Sequence, residues 1–344
     1  MNIAQNVPLA NYSTMRLGGT AAYMTEVTSR LELQEAVAWA SDQQLPFIMI
    51  GSGSNIIWKD EGFPGLIILN KIMRFEEQIE DADNYYVTVG SGENWDSVVA
   101  RTVAAGASGI EALSLIPGTA GATPVQNVGA YGQEISQTLV SVEAYDTQAR
   151  SFISIPNEAC QFGYRTSRFK STDRGRFLVT AITLHLTLKK PTPPFYNALQ
   201  TYLNEHNITD YTSAVIRSAV IAIRSSKLPD PTAVANNGSF FANPIINEGL
   251  FAQIEADHPG CPHWPVGDGM VKIPAAWLIE KAGFKNCHDV ETGMGTWPKQ
   301  PLVLVNEHAK STAQLIAFRQ KIVGKVQELF DITLEQEPEL LPHS

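Results

Sequence analysis

The sequence predicts an α+β fold that contains more than one domain. Its 344 residues, of which 44% are hydrophobic, are enough for two or three separate hydrophobic cores. Strand-like and helix-like segments follow one another unevenly, without the regular strand–helix–strand alternation of a doubly wound parallel sheet. A lysine- and proline-rich linker over residues 189–194 separates a strand-rich first part from a more helical second part.

The first part of the chain is predicted to contain several strands and two helices. The sequence Ser-Arg-Leu-Glu at residues 29–32 is typical of a capping box and predicts the start of a helix. A second helix is predicted over residues 95–105. Short runs of β-branched, apolar and aromatic residues predict strands over residues 47–50, 66–69, 85–89, 140–145 and 177–188.

The second part is predicted to be mainly helical. Helices are expected over residues 212–226, 273–282 and 311–330, and a buried strand over residues 302–305. In the last helix, apolar residues recur at the spacing of one helical face, which predicts that this face is buried. These residues are Leu315, Phe318, Ile322, Val326 and Leu329.

The composition excludes several classes of function. A net charge of −10 argues against nucleic-acid or anionic-membrane binding, because both need a basic surface. No apolar run reaches the length of a membrane span, and the first residues lack the pattern of a signal peptide. We therefore expect a cytoplasmic protein that acts on small molecules, and we expect it to be a monomer.

The cysteines do not indicate a disulfide framework or a metal site. The chain has three of them, Cys160, Cys261 and Cys287, and they are widely separated. Cys261 and Cys287 each lie near a histidine in the sequence, but the spacing differs from that of paired zinc ligands. We expect reduced thiols and no metal.

Two glycine-rich segments indicate phosphate binding. One is Gly-Ser-Gly-Ser-Asn-Ile at residues 51–56, and the other is Pro-Gly-Thr-Ala-Gly-Ala at residues 117–122, which residues 126–132 follow closely. Small residues let backbone N–H groups approach a phosphate. Neither segment matches the three-glycine Rossmann fingerprint, and the chain has no P-loop. Two such segments predict a dinucleotide held from two sides, although one alone would more often be a tight turn.

A basic segment at residues 162–170 contains Arg165, a candidate ligand for an anion. Arginine can bind a carboxylate or a phosphate through two parallel hydrogen bonds. The alternative is a solvated basic face, which is the usual meaning of a short run of charges. Tyr164 and Phe169 are interleaved with the cations of this otherwise acidic protein, and this favours a binding role.

Residues 236–244 predict a constrained loop around Ser239. The chain has no Gly-x-Ser-x-Gly motif, so Ser239 is not expected to be a hydrolase nucleophile, but its hydroxyl could donate a proton. Taken alone, these residues favour a simple turn over the buried pair Phe240 and Phe241.

Three acids alternate near the end of the chain, Glu335, Glu337 and Glu339. On a strand they would share one face. Three acids on an exposed edge usually serve solubility. One of them in a cleft beside Arg165 would instead be a candidate acid or enolate stabiliser.

In their order and spacing, these segments resemble the UDP-N-acetylenolpyruvoylglucosamine reductase family (MurB), flavoenzymes of which the type I subfamily is the most similar. The most specific matches are residues 117–132, 164–169 and 238–244, and the resemblance extends from residue 11 to residue 339. It implies an FAD-binding domain of the PCMH or vanillyl-alcohol-oxidase type followed by an α+β substrate-binding domain. The implied boundaries are 1–70 and 71–208 for two FAD-binding subdomains, 209–330 for the substrate-binding domain and 331–344 for a C-terminal strand that returns to the active site.

The resemblance also implies roles for single residues. Arg165 would bind the substrate carboxylate, Ser239 would protonate the α-carbon, and Glu339 would help to stabilise the intermediate. Residues that match the FAD contacts are Gly51, Ser52, Gly53, Ser54, Asn55, Ile56, Pro117, Gly118, Thr119, Gly121, Ala122, Gln126, Asn127, Gly129 and Ala130. Residues that match substrate contacts are Tyr164, Tyr196, Lys227, Asn243, Lys272 and Gln300, of which Tyr196 corresponds to the mobile loop of type I members.

The implied reaction has two halves. NADPH reduces FAD, and the reduced flavin then transfers hydride to the β-carbon of UDP-N-acetylenolpyruvoylglucosamine to form UDP-N-acetylmuramate, a peptidoglycan precursor. The first glycine-rich segment has no histidine, which implies non-covalent FAD. A flavin oxidase of the same fold is an alternative, but it would need no proton donor such as Ser239. A sugar-nucleotide-binding protein without flavin is a second alternative, which the two glycine-rich segments disfavour.

Overall fold

A computed structural model describes residues 1–343 of the chain, which folds into two compact units. The first unit comprises Met1–Val7, Ala21–Ser52 and Phe63–Ser226. The second comprises Pro8–Thr20, Gly53–Gly62 and Lys227–Ser344. Residues 8–20 and 53–62, which the resemblance assigned to the first FAD-binding subdomain, thus belong to the second unit. The finer division at residues 70, 208 and 330 stays a prediction.

The helices and strands are numbered here in chain order. The α-helices are α1 (Arg30–Asp42), α2 (Trp95–Ala104), α3 (Asn197–Glu205), α4 (Ser213–Lys227), α5 (Glu248–Asp257), α6 (Ala275–Lys281) and α7 (Thr312–Phe330). The strands are β1 (Ala4–Pro8), β2 (Thr20–Val27), β3 (Phe47–Ile50), β4 (Ile56–Trp58), β5 (Phe63–Asn70), β6 (Phe75–Ile79), β7 (Tyr85–Gly90), β8 (Gly129–Ala130), β9 (Gln133–Glu134), β10 (Leu139–Asp146), β11 (Ser151–Pro156), β12 (Phe177–Leu186), β13 (Ala235–Ser239), β14 (Ile245–Asn247), β15 (Trp264–Gly267), β16 (Met270–Lys272), β17 (His288–Asp289), β18 (Met294–Trp297), β19 (Gln300–Asn306) and β20 (Glu339–Leu341).

The first unit contains two main sheets. In the sheet ordered β1-β2-β5-β3, β5 pairs in parallel with β2 and with β3, and α1 buries Leu33 and Val37 in the same core. The sheet ordered β11-β10-β12-β7-β6 is antiparallel, and Trp95 and Val98 of α2 lie in its core. Helices α3 and α4 bury Leu203 in a separate small core. Strand β3 ends at Ile50, directly before the first glycine-rich segment.

The second unit is built around α7 and an antiparallel sheet ordered β13-β19-β18-β17. A smaller antiparallel sheet has the order β14-β16-β15, and β4 pairs in parallel with β20. The core of this unit includes Phe240 and Phe241 beside β13, Leu278 of α6 and Phe318 of α7.

The helices and interior strands predicted from the sequence are all present, and α3 and α5 were not predicted. Ser29 caps α1, as predicted, and the Glu32 carboxylate accepts hydrogen bonds from the backbone of Thr28 and of Ser29. Two details of the prediction were wrong. Leu329 is 44% exposed, and Phe330 takes the buried position instead. The C-terminal strand is confined to Glu339–Leu341, because only these residues pair with β4.

Within residues 1–343, no helix is both long enough and apolar enough to cross a membrane.

The buried face of α7 provides a test of the fold. Phe318 is fully buried and Leu329 lies on the exposed face of the same helix. We expect Phe318→Ala to lower the free energy of unfolding by about 3–5 kcal/mol, because it removes a ring and leaves a cavity. Leu329→Ala is the matched control and should cost less than about 1 kcal/mol. Urea denaturation of both variants measures this difference, and equal losses would contradict the assigned helix orientation.

Candidate functional site

The two glycine-rich segments meet in the first unit at Gly51 and Thr119. A Cβ atom at Gly51 would lie 2.3 Å from the Oγ1 atom of Thr119, so no other residue fits there without a shift. Gly51 directly follows β3, and the parallel pairing of β3 with β5 fixes its position. The sequence predicted two loops that act on one ligand, and the structure brings the first residue of one against the other.

The second glycine-rich segment, residues 117–122, packs against the turn over residues 91–94 that joins β7 to α2. The amides of Ala120 and Gly121 donate to the carbonyl oxygens of Glu93 and Ser91, at 2.9 and 3.0 Å. A Cβ atom at Gly121 would lie 2.4 Å from the Cβ atom of Ser91. Gly118 has a φ of +133°, which side chains disfavour. The glycines therefore let two backbone segments lie against each other, and the loop surface carries few side chains.

The segments around residues 125–130 and 163–170 are joined by hydrogen bonds. Asn127 donates to the Gly163 carbonyl and to the Glu134 carboxylate, at 3.1 and 2.8 Å. Arg165 donates from Nη2 to the Gly129 carbonyl at 2.7 Å, and Ser167 donates to the Val125 carbonyl at 2.6 Å. Arg165 has a left-handed φ of +54°, which for a non-glycine residue marks a constrained position. These contacts place Arg165 beside the predicted FAD-contacting residues.

Two cations in or near the basic segment, Arg168 and Arg176, have acidic partners. Arg168 pairs with Asp173 at 2.8 Å, and Arg176 pairs with the buried carboxylate of Asp146 at 2.7 Å. The hydrogen bonds from Arg176 lower the pKa of Asp146 to about 2. The alternative of a solvated basic face is therefore wrong for these two residues, which stabilise the fold of the first unit.

Tyr196 stands on the linker before α3, with 46% of its surface exposed. Its ring meets the edge of the Tyr131 ring, with the centroids 5.9 Å apart. Burial raises the pKa of Tyr131, and this residue has a left-handed φ of +50°. The aromatic contact places Tyr196 next to residues 126–132 of the same unit.

Arg224 of α4 is a candidate functional residue that the sequence reasoning missed. Burial lowers the pKa of its guanidinium, and its buried Nε atom has no hydrogen-bond partner in the described chain. Its charge interacts with Tyr131 and Asp96, but Asp96 is bound in a bidentate manner by Arg217. A signal was present, because Arg224 follows Val220 by four residues on the buried face of the helix. A buried cation with an unused donor is typical of an anion site.

In the second unit, Ser239 ends β13 next to a β-bulge. Gly238 has a φ of +71°, and a Cβ atom there would meet nothing within 4 Å. Phe240 and Phe241 are fully buried, with ring centroids 5.2 Å apart. The predicted buried phenylalanine pair is confirmed, but the predicted turn is wrong, because residues 235–239 form β13 and pair with β19. Ser239 is the half-buried residue before the pair.

Asn237 holds the Gly53–Ile56 segment to the strand that carries Ser239. Its Nδ2 atom lies 3.1 Å from the Ser54 carbonyl oxygen, 3.3 Å from that of Ile56 and 3.0 Å from Thr14 Oγ1. Its Oδ1 atom is buried and has no partner among the described residues. Gly53 is tightly packed, because a Cβ atom there would lie 2.1 Å from the Tyr12 carbonyl oxygen.

The strand that begins with Glu339 binds the same segment. Glu339 pairs with Ile56 in the parallel β20–β4 ladder, and its amide donates to the Asn55 carbonyl at 2.9 Å. The Glu337 amide donates to the Phe240 carbonyl at 2.9 Å. Asn237 and Glu339 thus both bind the predicted FAD residues 53–56, and Ser239 follows Asn237 by two residues on β13.

The remaining predicted substrate contacts are more dispersed. Lys227 ends α4. Asn243 accepts a hydrogen bond from the Ala275 amide at the start of α6, so its carbonyl group serves the fold. Lys272 lies on β16, and Gln300 begins β19 opposite Trp297.

Comparison with known proteins identifies the class of protein to which the chain belongs. Residues 21–150 match the family model for an FAD binding domain, and residues 230–341 match the model for the C-terminal domain of UDP-N-acetylenolpyruvoylglucosamine reductase. The chain is therefore a flavin-dependent oxidoreductase with an α+β fold, as predicted, and FAD is its cofactor.

The relatives define the family. The chain is 38% identical to the UDP-N-acetylenolpyruvoylglucosamine reductase of Cupriavidus pinatubonensis, over 97% of this chain and 98% of that one. It is 39% identical to that of Thermobifida fusca, over 99% and 98% of the two chains. The chain belongs to the UDP-N-acetylenolpyruvoylglucosamine reductase family. The crystal structure of the Thermus caldophilus enzyme has the same fold, with a TM-score of 0.67, 24% identity and coverage of 99% and 100%.

The residues present fit an FAD molecule. A Cβ atom at Gly51, Gly53 or Gly121 would clash with neighbouring protein atoms, so these glycines fix the packing of both segments. The Nε atom of Arg224 is a buried donor with no partner among residues 1–343, suited to an electron-rich or anionic group.

Gly53 provides a direct test of cofactor binding. We expect Gly53→Ala to weaken FAD binding about tenfold or more, because the new Cβ atom clashes with Tyr12 and strains a positive φ. Gly324→Ala is the matched control, since a Cβ atom at that glycine of α7 meets nothing within 4 Å. The measurement is titration of each apoprotein with FAD, and unchanged affinity in Gly53→Ala would contradict the proposed contact.

Proposed function

We propose that this protein reduces UDP-N-acetylenolpyruvoylglucosamine to UDP-N-acetylmuramate with NADPH as reductant and non-covalent FAD as cofactor. The observation that carries the proposal is the 38% identity to a curated reductase over 97% of the chain. The grouping of Ser239, Glu339 and residues 53–56 in the second unit gives it further support. The reaction supplies a peptidoglycan precursor, and the setting we propose is the cytoplasm.

Arg165 is the proposed ligand of the substrate carboxylate. The chemistry that FAD supplies when bound is hydride transfer from NADPH to the β-carbon of the enolpyruvyl group. Negative charge then develops on the carboxylate side of the α-carbon, and a fixed cation stabilises it. Arg165 is suited to this role because its backbone conformation is constrained and its Nη2 atom is held by the Gly129 carbonyl.

Ser239 is the proposed proton donor to the α-carbon. Proton donation means that the Ser239 O–H bond breaks, a C–H bond forms, and the hydroxyl then regains a proton from solvent. A hydroxyl is a weak acid, so the position of its oxygen matters. The bulge of β13 and the buried pair Phe240 and Phe241 fix the backbone on either side of Ser239.

Glu339 is the proposed acid that assists this stabilisation, and six further residues are proposed substrate contacts. Tyr196 is the contact in a mobile loop, and its exposed ring agrees with that role. The others are Tyr164, Lys227, Asn243, Lys272 and Gln300. The alternative of a flavin oxidase is not favoured, because the match to the reductase C-terminal domain covers residues 230–341.

Separate measurement of the two half-reactions tests the function and the role of Ser239. Under anaerobic conditions, NADPH should reduce the bound flavin, and the enolpyruvyl sugar nucleotide should reoxidise it with formation of UDP-N-acetylmuramate. Ser239→Ala should keep the first half-reaction and slow the second by about a hundredfold or more, because it removes a general acid. Equal loss in both halves would contradict the assigned role, and reduced wild-type flavin that oxygen alone reoxidises would favour an oxidase.

Arg165→Ala should also act on the second half-reaction alone. The loss of one preorganised cation is expected to slow flavin reoxidation by about a hundredfold. Arg165→Lys should recover only part of the rate, because lysine lacks the bidentate geometry. Arg174→Ala is the control, since Arg174 is exposed and its guanidinium donates to the Lys170 carbonyl. An Arg165→Ala rate equal to that of the control would exclude the proposed role.

A further inference from the structure

The C-terminal segment places a histidine beside the proposed acid. The Nε2 atom of His343 lies 3.2 Å from the Oε2 atom of Glu339, four residues earlier. The side chain of Glu339 is 19% exposed and that of His343 is 36% exposed. His343 is therefore the more exposed member of the pair.

The backbone on which both residues stand is fixed by β4. Glu339 and Leu341 pair with Ile56 and Trp58, and the Leu341 carbonyl accepts a hydrogen bond from the Lys59 amide at 2.7 Å. Leu341 is buried. His343 follows this anchored residue by two positions.

Four other charged residues adjoin β4 or β20 in the sequence, namely Lys59, Asp60, Glu335 and Glu337. Asp60, beyond the end of β4, accepts hydrogen bonds from the amides of Thr312 and Ala313 at the start of α7. Lys59 contributes its amide to Leu341. Glu335 and Glu337 precede β20, and Glu335 is exposed. Glu339 has an ionic contact with His343.

We infer that His343 is a positioning residue that orients Glu339 and keeps it supplied with a proton during the second half-reaction. This inference rests on the proposed function. When the Nε2 atom of His343 carries a proton, it lies close enough to Glu339 Oε2 to pass that proton across 3.2 Å, so that an N–H bond breaks and an O–H bond forms. The ring regains a proton from water, because it is partly exposed.

The need for such a partner follows from ordinary acid strengths. A glutamate carboxyl in water has a pKa of about 4.3 and an imidazole one of about 6.5. A lone carboxyl is therefore almost fully ionised at neutral pH and is a poor proton source. A carboxylate and an imidazole that share one proton remain a source of acid up to the range in which imidazole titrates.

The test compares the pH dependence of flavin reoxidation in the FAD-loaded wild type and in His343→Gln. Glutamine retains a hydrogen-bond donor but cannot carry the proton. We expect the variant to be about tenfold slower near pH 6 and close to the wild type near pH 8.5, where imidazole is neutral. Reduction by NADPH should be unchanged at every pH. His308→Gln, at an exposed histidine of the same unit, is the matched control and should behave as the wild type.

A second readout does not depend on activity. The ring NMR signals of His343 in the substrate-free holoenzyme should move in Glu339→Gln and stay in place in Glu335→Gln. The inference is overturned if the His343→Gln profile coincides with that of the wild type, if it is slower by the same factor at all pH values, or if both half-reactions slow together. Failure of the wild type to be reoxidised by the sugar nucleotide would instead reject the proposed function, and the inference with it.

Discussion

The hydrogen bonds to the Gly53–Ile56 segment are the constraint on which the candidate site residues of the second unit depend. Asn237 reaches the segment from the strand that carries Ser239, and Glu339 reaches it through the β20–β4 ladder. Both attachments use backbone carbonyl groups of the segment, so the spacing of Ser239 and Glu339 is set by the main chain rather than by long flexible side chains. Any shift of this segment would move both residues together.

This arrangement carries an energetic cost. Asn237 leaves its Oδ1 atom buried without a partner in the described chain, and such a group typically costs about 1–3 kcal/mol. Three contacts of its Nδ2 atom offset part of that cost. Buried polar groups that fall short of full hydrogen bonding are uncommon in folded proteins and concentrate where the site needs a fixed geometry.

The features that could be predicted from the sequence are those that depend on residues close together in the chain. The sequence indicated close backbone approach at the glycine-rich segments, and in the structure Gly51 and Gly121 leave no room for a Cβ atom. The apolar face of α7 was predicted because an α-helix repeats every 3.6 residues. Asn237 was missed because its contacts with Ser54 and Thr14 span 183 and 223 residues of sequence. Ser239 illustrates the same limit, since its own neighbours indicate only a turn, and the proposed role came from the resemblance of the whole chain.

The arginines of the first unit show why burial and partner, rather than charge alone, separate structural from functional cations. Arg176 holds the pKa of Asp146 at about 2, so this pair stays ionised and its charges largely cancel at neutral pH. Arg165 donates from Nη2 to the Gly129 carbonyl, and this contact fixes its guanidinium at residue 129. The Nε atom of Arg224 is buried near Tyr131 and Asp96 and has no hydrogen-bond partner among residues 1–343. The number of cations in a segment therefore does not predict their use, because each cation is defined by the groups that it contacts.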